Sequence, residues 1–360
     1  MPTWLEVFQF VKDPYEKLDP YKIDLTYLVW DRPDLAEARR DLDLFNGDIF
    51  AARRCALKVF GSSGAGKTWL TRLFEKEILL RDPQLLFIYT KIPKLEPTFP
   101  VIYRLAIDYL LANYFDRITE HVKHAQKGNV NLDAWKAVIL DEELATAFSQ
   151  YYSGGANRVL ARRWITGDRL SAADLDGVNL TRSLDSDYDR FEMLIRVFEN
   201  LAPGFSGTVF VIDELENASV KLAGQLSDSL RDMLDRFAER FALLASFTAE
   251  KDEEWYDLGY TEQLNRRFDY TIGLEALSKN TIADFLRIHH QAYRKHRVEL
   301  KDQLSPFNER GAVSLLEVMS AVHQYPGYYL PNCRDLVRSL KGKKIDAGFV
   351  KKNKRRLTFK

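Results

Sequence analysis

Gly61-Ser62-Ser63-Gly64-Ala65-Gly66-Lys67-Thr68 decides the reading of this 360-residue chain. The stretch satisfies G-x-x-x-x-G-K-[S/T], a loop whose backbone N–H groups cradle phosphates. Its glycines permit backbone conformations and close approaches that a Cβ would obstruct. The loop's N–H groups and the positive end of the following helix then face the phosphate oxygens. In such a loop Lys67 reaches the β- and γ-phosphates and Thr68 ligates Mg²⁺. The neighbouring residues fit. Cys55–Phe60 is an apolar run that reads as a buried strand, and Trp69–Leu80 puts Leu70, Leu73, Phe74 and Ile78 on one helical face. The sequence therefore predicts a nucleoside-triphosphate site over Gly61–Thr68, extended by Trp69, with ATP and Mg²⁺ as its ligands.

A second signal lies downstream, where Thr208-Val-Phe-Val-Ile-Asp-Glu214 reads as a buried parallel strand. Asp213 and Glu214 emerge at its carboxyl end, where open α/β sheets bind ligands. Asp213 is expected to hold the Mg²⁺ shell. Glu214 is expected to orient or deprotonate the attacking water, since phosphoryl transfer depends mostly on positioning and electrostatics.

Hydrophobic residues make up 46% of the chain and charged residues 29%, ordinary values for a globular protein with ample core. No apolar run is long enough to span a bilayer, and the first residues lack a basic stretch followed by an apolar one. Only two cysteines are present, so disulfides are not the organising principle. An intracellular, cytoplasmic location is expected. Net charge is zero but unevenly placed: Lys341–Lys360 carries nine basic residues and one acidic, leaving 43 basic and 51 acidic elsewhere. Such a tail suits a phosphate backbone or an acidic partner.

Taken in order, residues 1–30 read as an arm packed on the remainder, and Asp34–Phe45 as a helix ended by Asn46-Gly47. Leu85–Ile92 reads as a strand and Val101–Lys123 as a helix, which with the first motif begins a parallel sheet with crossovers. Residues 128–187 are too long for a routine crossover and read as a helical insertion. Within it Arg158, Arg162, Arg163 and Arg169 surround Trp164, either as a phosphate- or partner-contacting surface or as an amphipathic helix with a solvated arginine face. A helix at Tyr188–Leu201, another around Leu222–Phe237, and strands at Arg240–Thr248 and just before Leu274 complete the sheet. Ser246 or Thr248 is then placed to bond the γ-phosphate or its water. Helices at Thr281–Arg297, Glu309–Val322 and Cys333–Leu340 form a small lid, with Asn332 as N-cap and Arg334 in the first turn. His121, His124, His289, His290 and His296 read as solvated helical residues, without the partners a metal site needs. The expected architecture is α/β, a parallel-sheet P-loop core. Its domains are an arm and leading helix at 1–50, the nucleotide-binding domain at 51–275, an all-helical lid at 276–342 and a basic tail at 343–360.

Together these motifs resemble the AAA+ ATPases, in the branch of replication initiators and transposition ATPases, over residues 34–342. The resemblance implies Lys67 and Thr68 as Walker A, Asp213 and Glu214 as Walker B, and Thr248, with Ser246 as alternative, as sensor 1. It implies Arg267, with Arg266 as alternative, as an arginine finger, and Arg334 as sensor 2. The family's Gly-Asn-Pro-Arg turn stands here as Pro331-Asn332-Cys333-Arg334. A narrower likeness, through Arg163-Trp-Ile-Thr-Gly167 and Gly204-Phe-Ser-Gly207, is to ATP-binding proteins of BREX-type phage-defence systems. The expected function is an Mg²⁺-dependent ATPase that assembles into a homo-oligomer through nucleotide at subunit interfaces and acts on DNA. The alternative is a nucleotide-dependent switch that regulates an effector protein without binding DNA.

Overall fold

In this computed structural model the residues described are 8–15, 36–201, 204–294, 304–340 and 344–358. Expectations resting on 16–35, Pro203, His296 and the start of the tail at Lys341 lie outside them.

Helix α1 (Ala36–Phe50) leads into strand β1 (Cys55–Gly61), the phosphate loop and helix α2 (Lys67–Arg81). Strand β2 (Leu86–Lys91) follows, then α3 (Phe99–Ala125), β3 (Thr208–Asp213), α9 (Val220–Arg236), β4 (Phe241–Thr248) and β5 (Tyr270–Leu274). Between α3 and β3 come α4 (Leu132–Val138), α5 (Glu142–Ser153), α6 (Gly155–Ile165), α7 (Ala172–Gly177) and α8 (Asp187–Leu201). The five strands pair in parallel in the order β2-β3-β4-β1-β5. This is the expected α/β parallel-sheet core. Every residue of β3 is buried, which is why its sequence is a continuous apolar run rather than an alternating one.

Lys58 is the exception inside β1. It is 2% exposed, and its ammonium meets the Asp252 carboxylate at 2.6 Å and the Asn265 side-chain oxygen. A buried charge persists only when paired in this way. The pairing also ties the segment after β4 to the residues preceding β5.

Register matters most for function. Gly61 pairs with Thr248 and Leu274, Ile212 with Ala245, and Lys91 with Asp213. The carboxyl ends of β1, β2, β3 and β4 therefore form one edge.

The insertion is helical, as expected, and joins the main core. Phe115 of α3 stacks on Trp135 at 5.9 Å and meets Tyr151 edge-on at 4.5 Å. Trp164 is fully buried and donates its indole N–H to the Arg182 carbonyl at 2.6 Å. Its arginines are largely engaged. Arg162 pairs with Asp108 at 2.8 Å, Arg158 lies 4.6 Å over the Tyr151 ring, Arg163 reaches the Arg169 carbonyl, and Arg169 approaches Asp185 at 3.7 Å. The geometry is that of an amphipathic helix with a buried tryptophan.

A second core covers the sheet edge. Helices α12 (Ile282–Ala292), α13 (Glu309–Val318), α14 (Pro326–Arg338) and α15 (Ala347–Asn353) share a cluster that includes Ile282, Phe285, Leu315, Tyr329, Leu336 and Val350. Short helices α10 (Glu254–Asp257) and α11 (Glu262–Asn265) lie between β4 and β5.

Four local readings need correction. Helix α1 does not stop at Asn46-Gly47 but continues to Phe50, because Phe45, Asn46 and Ile49 all face the core. Helix α14 begins at Pro326, with Tyr325 as its N-cap, so Asn332 is a buried mid-helix residue and Arg334 is not in the first turn. Residues 344–358 are folded: Val350 and Leu357 are buried in the lid, and Thr358 bonds Asp335. A boundary at 342 thus cuts the second core. Finally, His290 is not solvated. It is fully buried with its Nε2 2.7 Å from the Tyr15 hydroxyl, so the segment 8–15 packs on α12.

Candidate functional site

The phosphate loop bounds a cavity of about 550 Å³ on the strand edge, a volume in the range that small-molecule sites occupy. Ser63, Gly64, Gly66, Lys67, Thr68 and Trp69 form its floor. Asp213, Glu214, Glu216, Asn217 and Thr248 supply one wall, Pro326, Gly327, Leu330 and Pro331 of the lid another, and Pro14, Tyr15, His289 and Tyr293 close it.

The loop's shape follows from its glycines. Gly66 caps α2 in the left-handed region at φ 104°, which costs a side-chain-bearing residue dearly. Gly64 touches the lid directly: its carbonyl accepts the Gly327 N–H at 3.0 Å, and a Cβ on Gly327 would come within 2.8 Å of Gly64 Cα. The lid helix thus begins against the phosphate loop.

Lys67 is 8% exposed and donates to the Gly61 carbonyl at 2.7 Å and the Ser62 carbonyl at 3.3 Å. Burial lowers its pKa below the ordinary lysine value, against the opposing pull of Glu216, Asp213 and Glu214. Asp213 is fully buried. It accepts from Thr68 Oγ1 at 2.9 Å, from the Glu214 N–H at 2.9 Å, and from the hydroxyls of Tyr89 and Ser246. Thr68 hydroxyl and Asp213 carboxylate therefore converge as hard oxygen donors, a pair that suits Mg²⁺, which takes one or two protein oxygens plus substrate phosphates and water. Among the described residues no cluster of His, Cys, Asp and Glu could hold a metal ion by itself.

Glu214 adopts φ 60°, ψ 47°, a left-handed conformation that non-glycine residues enter only when their surroundings hold them there. Lys91 holds its carboxylate at 2.6 Å and the Asn217 amide donates to it at 2.9 Å. Thr248 bonds Glu216 through both its N–H, at 3.0 Å, and its hydroxyl.

Of the residues singled out from sequence, Ser63, Gly64, Gly66, Lys67, Thr68, Trp69, Asp213, Glu214 and Thr248 line this one cavity. Gly61, Ser62 and Ala65 complete the loop, and Ser246 lies beneath it on Asp213. Arg334 is not among the lining residues. It sits one turn beyond Leu330, its Nε buried without a hydrogen-bond partner among the described residues. Arg267 makes a two-point pair with Asp235, Nε to Oδ1 at 2.7 Å and Nη2 to Oδ2 at 3.1 Å, and Arg266 pairs with Glu262. Both precede β5, whose first residue pairs with Leu57, so they lie toward the opposite sheet edge from Gly61.

Tyr89, Lys91, Glu216, Asn217 and the lid–loop contact belong to none of the sequence motifs. For Glu216 and Asn217 the signal was their place three and four residues past Asp213. For Tyr89 and Lys91 it was the carboxyl half of β2.

No protein-family model matches the sequence, and no curated protein matches it. Among solved structures, the ORC2 protein of Aeropyrum pernix, in ADPNP and ADP complexes, aligns over 97% of this chain and 73% of its own at 12% identity, with a TM-score of 0.53. The chain has the fold of that protein, built here on a parallel five-stranded α/β core. Cdc6p from Pyrobaculum aerophilum aligns at 14% identity over 93% of this chain and 71% of its own, with a TM-score of 0.49. Domain III of the Thermotoga maritima replication initiation protein DnaA aligns at 11% identity over 92% and 95%, with a TM-score of 0.43. Among the described residues no helix is long and apolar enough to cross a membrane.

Proposed function

We propose that this chain binds ATP with Mg²⁺ between the phosphate loop and the lid, hydrolyses it, and uses it to assemble and act on DNA. One observation carries the reading: Lys67, Thr68, Asp213 and Glu214 converge on a single cavity closed by the lid. The neighbour solved with ADPNP and ADP supports the choice of nucleotide. Loop N–H groups hold the phosphates, and Lys67 leaves the Gly61 and Ser62 carbonyls for phosphate oxygens. Thr68 and Asp213 would hold Mg²⁺, which supplies charge neutralisation at the phosphates when bound. Glu214 orients and deprotonates water once released from Lys91 and Asn217. Trp69 contacts the nucleotide from the first turn of α2. Arg334 reaches it only on lid movement.

Lys67 gives this reading a pH signature. Burial lowers its pKa, and phosphate favours the charged form and raises it. ATP binding should therefore take up protons as pH rises toward that lowered value, and affinity should fall at less alkaline pH than an ordinary lysine would dictate. Calorimetry in two buffers of different ionisation enthalpy reads the uptake, and buffer-independent heats across the alkaline range would contradict it.

Arg267 precedes β5 and is far from its own chain's loop, so it serves a neighbour's site in this reading, with Arg266 as alternative. An arginine supplied in trans is worth about 10³–10⁵ in rate. DNA contact falls to α15 and the turn after it, where Lys351, Lys352, Lys354, Arg355 and Arg356 are exposed. The effector-switch reading is favoured by the insertion instead, where Leu140 is 85% exposed and Val159 60%. Measuring ATPase rate with and without double-stranded DNA across salt, alongside particle mass, separates them. The proposal expects stimulation by DNA that falls steeply with salt, nucleotide-dependent mass, and loss of concentration-dependent turnover in Arg267→Ala. Turnover indifferent to DNA but raised by a protein partner would favour the switch.

Phage defence is no part of this reading, because none of the comparisons supports it, and the residues of that likeness sit in packed positions. Trp164 is buried, Gly167 at φ 82° lies against Arg190 and Tyr103, and Gly204 lies against His121.

A further inference from the structure

Two hydroxyls stand near the carboxyl end of β4, and their surroundings differ. Ser246 is fully buried and donates to Asp213 Oδ1, so it belongs to the floor beneath the site. Thr248 is partly exposed and lines the cavity beside Glu216. Glu216 follows Asp213 by three residues in the short 3₁₀ turn Leu215–Asn217, where it too lines the cavity. One of its oxygens takes the Thr248 N–H at 3.0 Å and the other takes the Thr248 hydroxyl.

This two-point grip sets the polarity of the hydroxyl. A carboxylate only accepts, whereas a threonine hydroxyl has one proton and two lone pairs. With its proton committed to Glu216, Thr248 Oγ1 can offer the cavity lone pairs alone. The γ-phosphate oxygens are acceptors as well, so they find no partner there. A water molecule, which can donate, does.

We infer that Glu216 is a positioning residue that fixes Thr248 as an acceptor for the attacking water, not as a donor to the γ-phosphate. The inference rests on the ATP-hydrolysing reading above and refines the step in which water is placed. Glu214 and Thr248 then hold the same water from two directions, while Lys67 and the loop hold the phosphate.

Glu216→Gln tests the polarity directly. The amide oxygen can take only one of the two donors, and the backbone N–H cannot turn. The hydroxyl must then rotate to accept from the amide nitrogen, which leaves its proton pointing into the cavity. Because Glu216 also favours the charged form of Lys67, ATP and ADP affinities are measured beside turnover.

The expected result is a kcat lowered about 10- to 100-fold, the size of one hydrogen bond to a charged or reacting group, with ATP affinity within about threefold of wild type. Thr248→Val should lower kcat by a similar factor and leave the ATP-to-ADP affinity ratio unchanged. Combining both substitutions should add nothing further, since each removes the same contact, and Thr248→Ser should restore most of the rate. Three results would overturn the inference: full turnover in Glu216→Gln, multiplicative losses in the double variant, or a Thr248→Val that weakens ATP about tenfold relative to ADP. A wild-type chain that binds ATP but never turns it over sinks the hydrolase reading and this inference together. Wild-type turnover matched by Glu216→Gln sinks this inference alone.

Discussion

Glu214→Gln is expected to bind ATP within a few-fold of wild type and to lose about 10²–10⁴ in turnover, the usual contribution of a positioned general base. The amide keeps the side chain's volume and can still accept from Asn217, so the left-handed turn at residue 214 has no reason to collapse. It cannot take a proton from water, and it loses the charge that Lys91 meets at 2.6 Å. Phosphate release should therefore fall while equilibrium binding of ATP persists. Wild-type turnover in this variant would remove Glu214 from the chemistry and leave Lys91 and Asn217 with a purely structural role.

Asp213→Ala should have the largest effect on folding. Three hydroxyls, from Thr68, Tyr89 and Ser246, and the Glu214 N–H all donate to this one buried carboxylate. Removing it strands several donors at once, each worth about 1–3 kcal/mol when left unmade. Rotation of the hydroxyls recovers part, so a net loss of about 3–5 kcal/mol is expected. At about 1–2 °C per kcal/mol for a chain of this length, the melting temperature should fall by about 5 °C. ATP and Mg²⁺ should stabilise the wild type and not the variant. An unchanged melting temperature would mean that Asp213 serves the ligand alone.

The parts of this protein legible in its sequence are those whose chemistry is local. The phosphate loop has fixed spacing, and β3 must be a continuous apolar run because both of its faces are covered. Pairing of β3 with β4 then brings Asp213 and Thr248 toward the same edge. What stayed hidden depends on contacts distant in sequence. His290 reads as a surface residue until Tyr15, 275 positions away, is seen against it. Asn332 reads as an N-cap with Pro331 ahead of the helix, yet α14 runs through Pro331 because Tyr329 and Cys333 anchor the helix on either side, against a proline cost of about 3 kcal/mol. The basic run near the end reads as a tail until Val350 and Leu357 are found in the lid core, with the lysines and arginines facing outward. Glu216 stood in plain view beside Asp213 and Glu214, but its role depends on which hydroxyl the register places opposite it.

The most direct test of the central claim, that Gly61–Thr68 holds ATP, is equilibrium titration of wild type and Lys67→Ala with ATP and Mg²⁺. Lys67 is expected to exchange two carbonyl contacts for charge-assisted bonds to phosphate, each worth about 1.5–3 kcal/mol. The account predicts saturable binding by the wild type and an affinity about 100-fold weaker, or worse, in a variant that melts cooperatively. Equal affinity in the two proteins would contradict it.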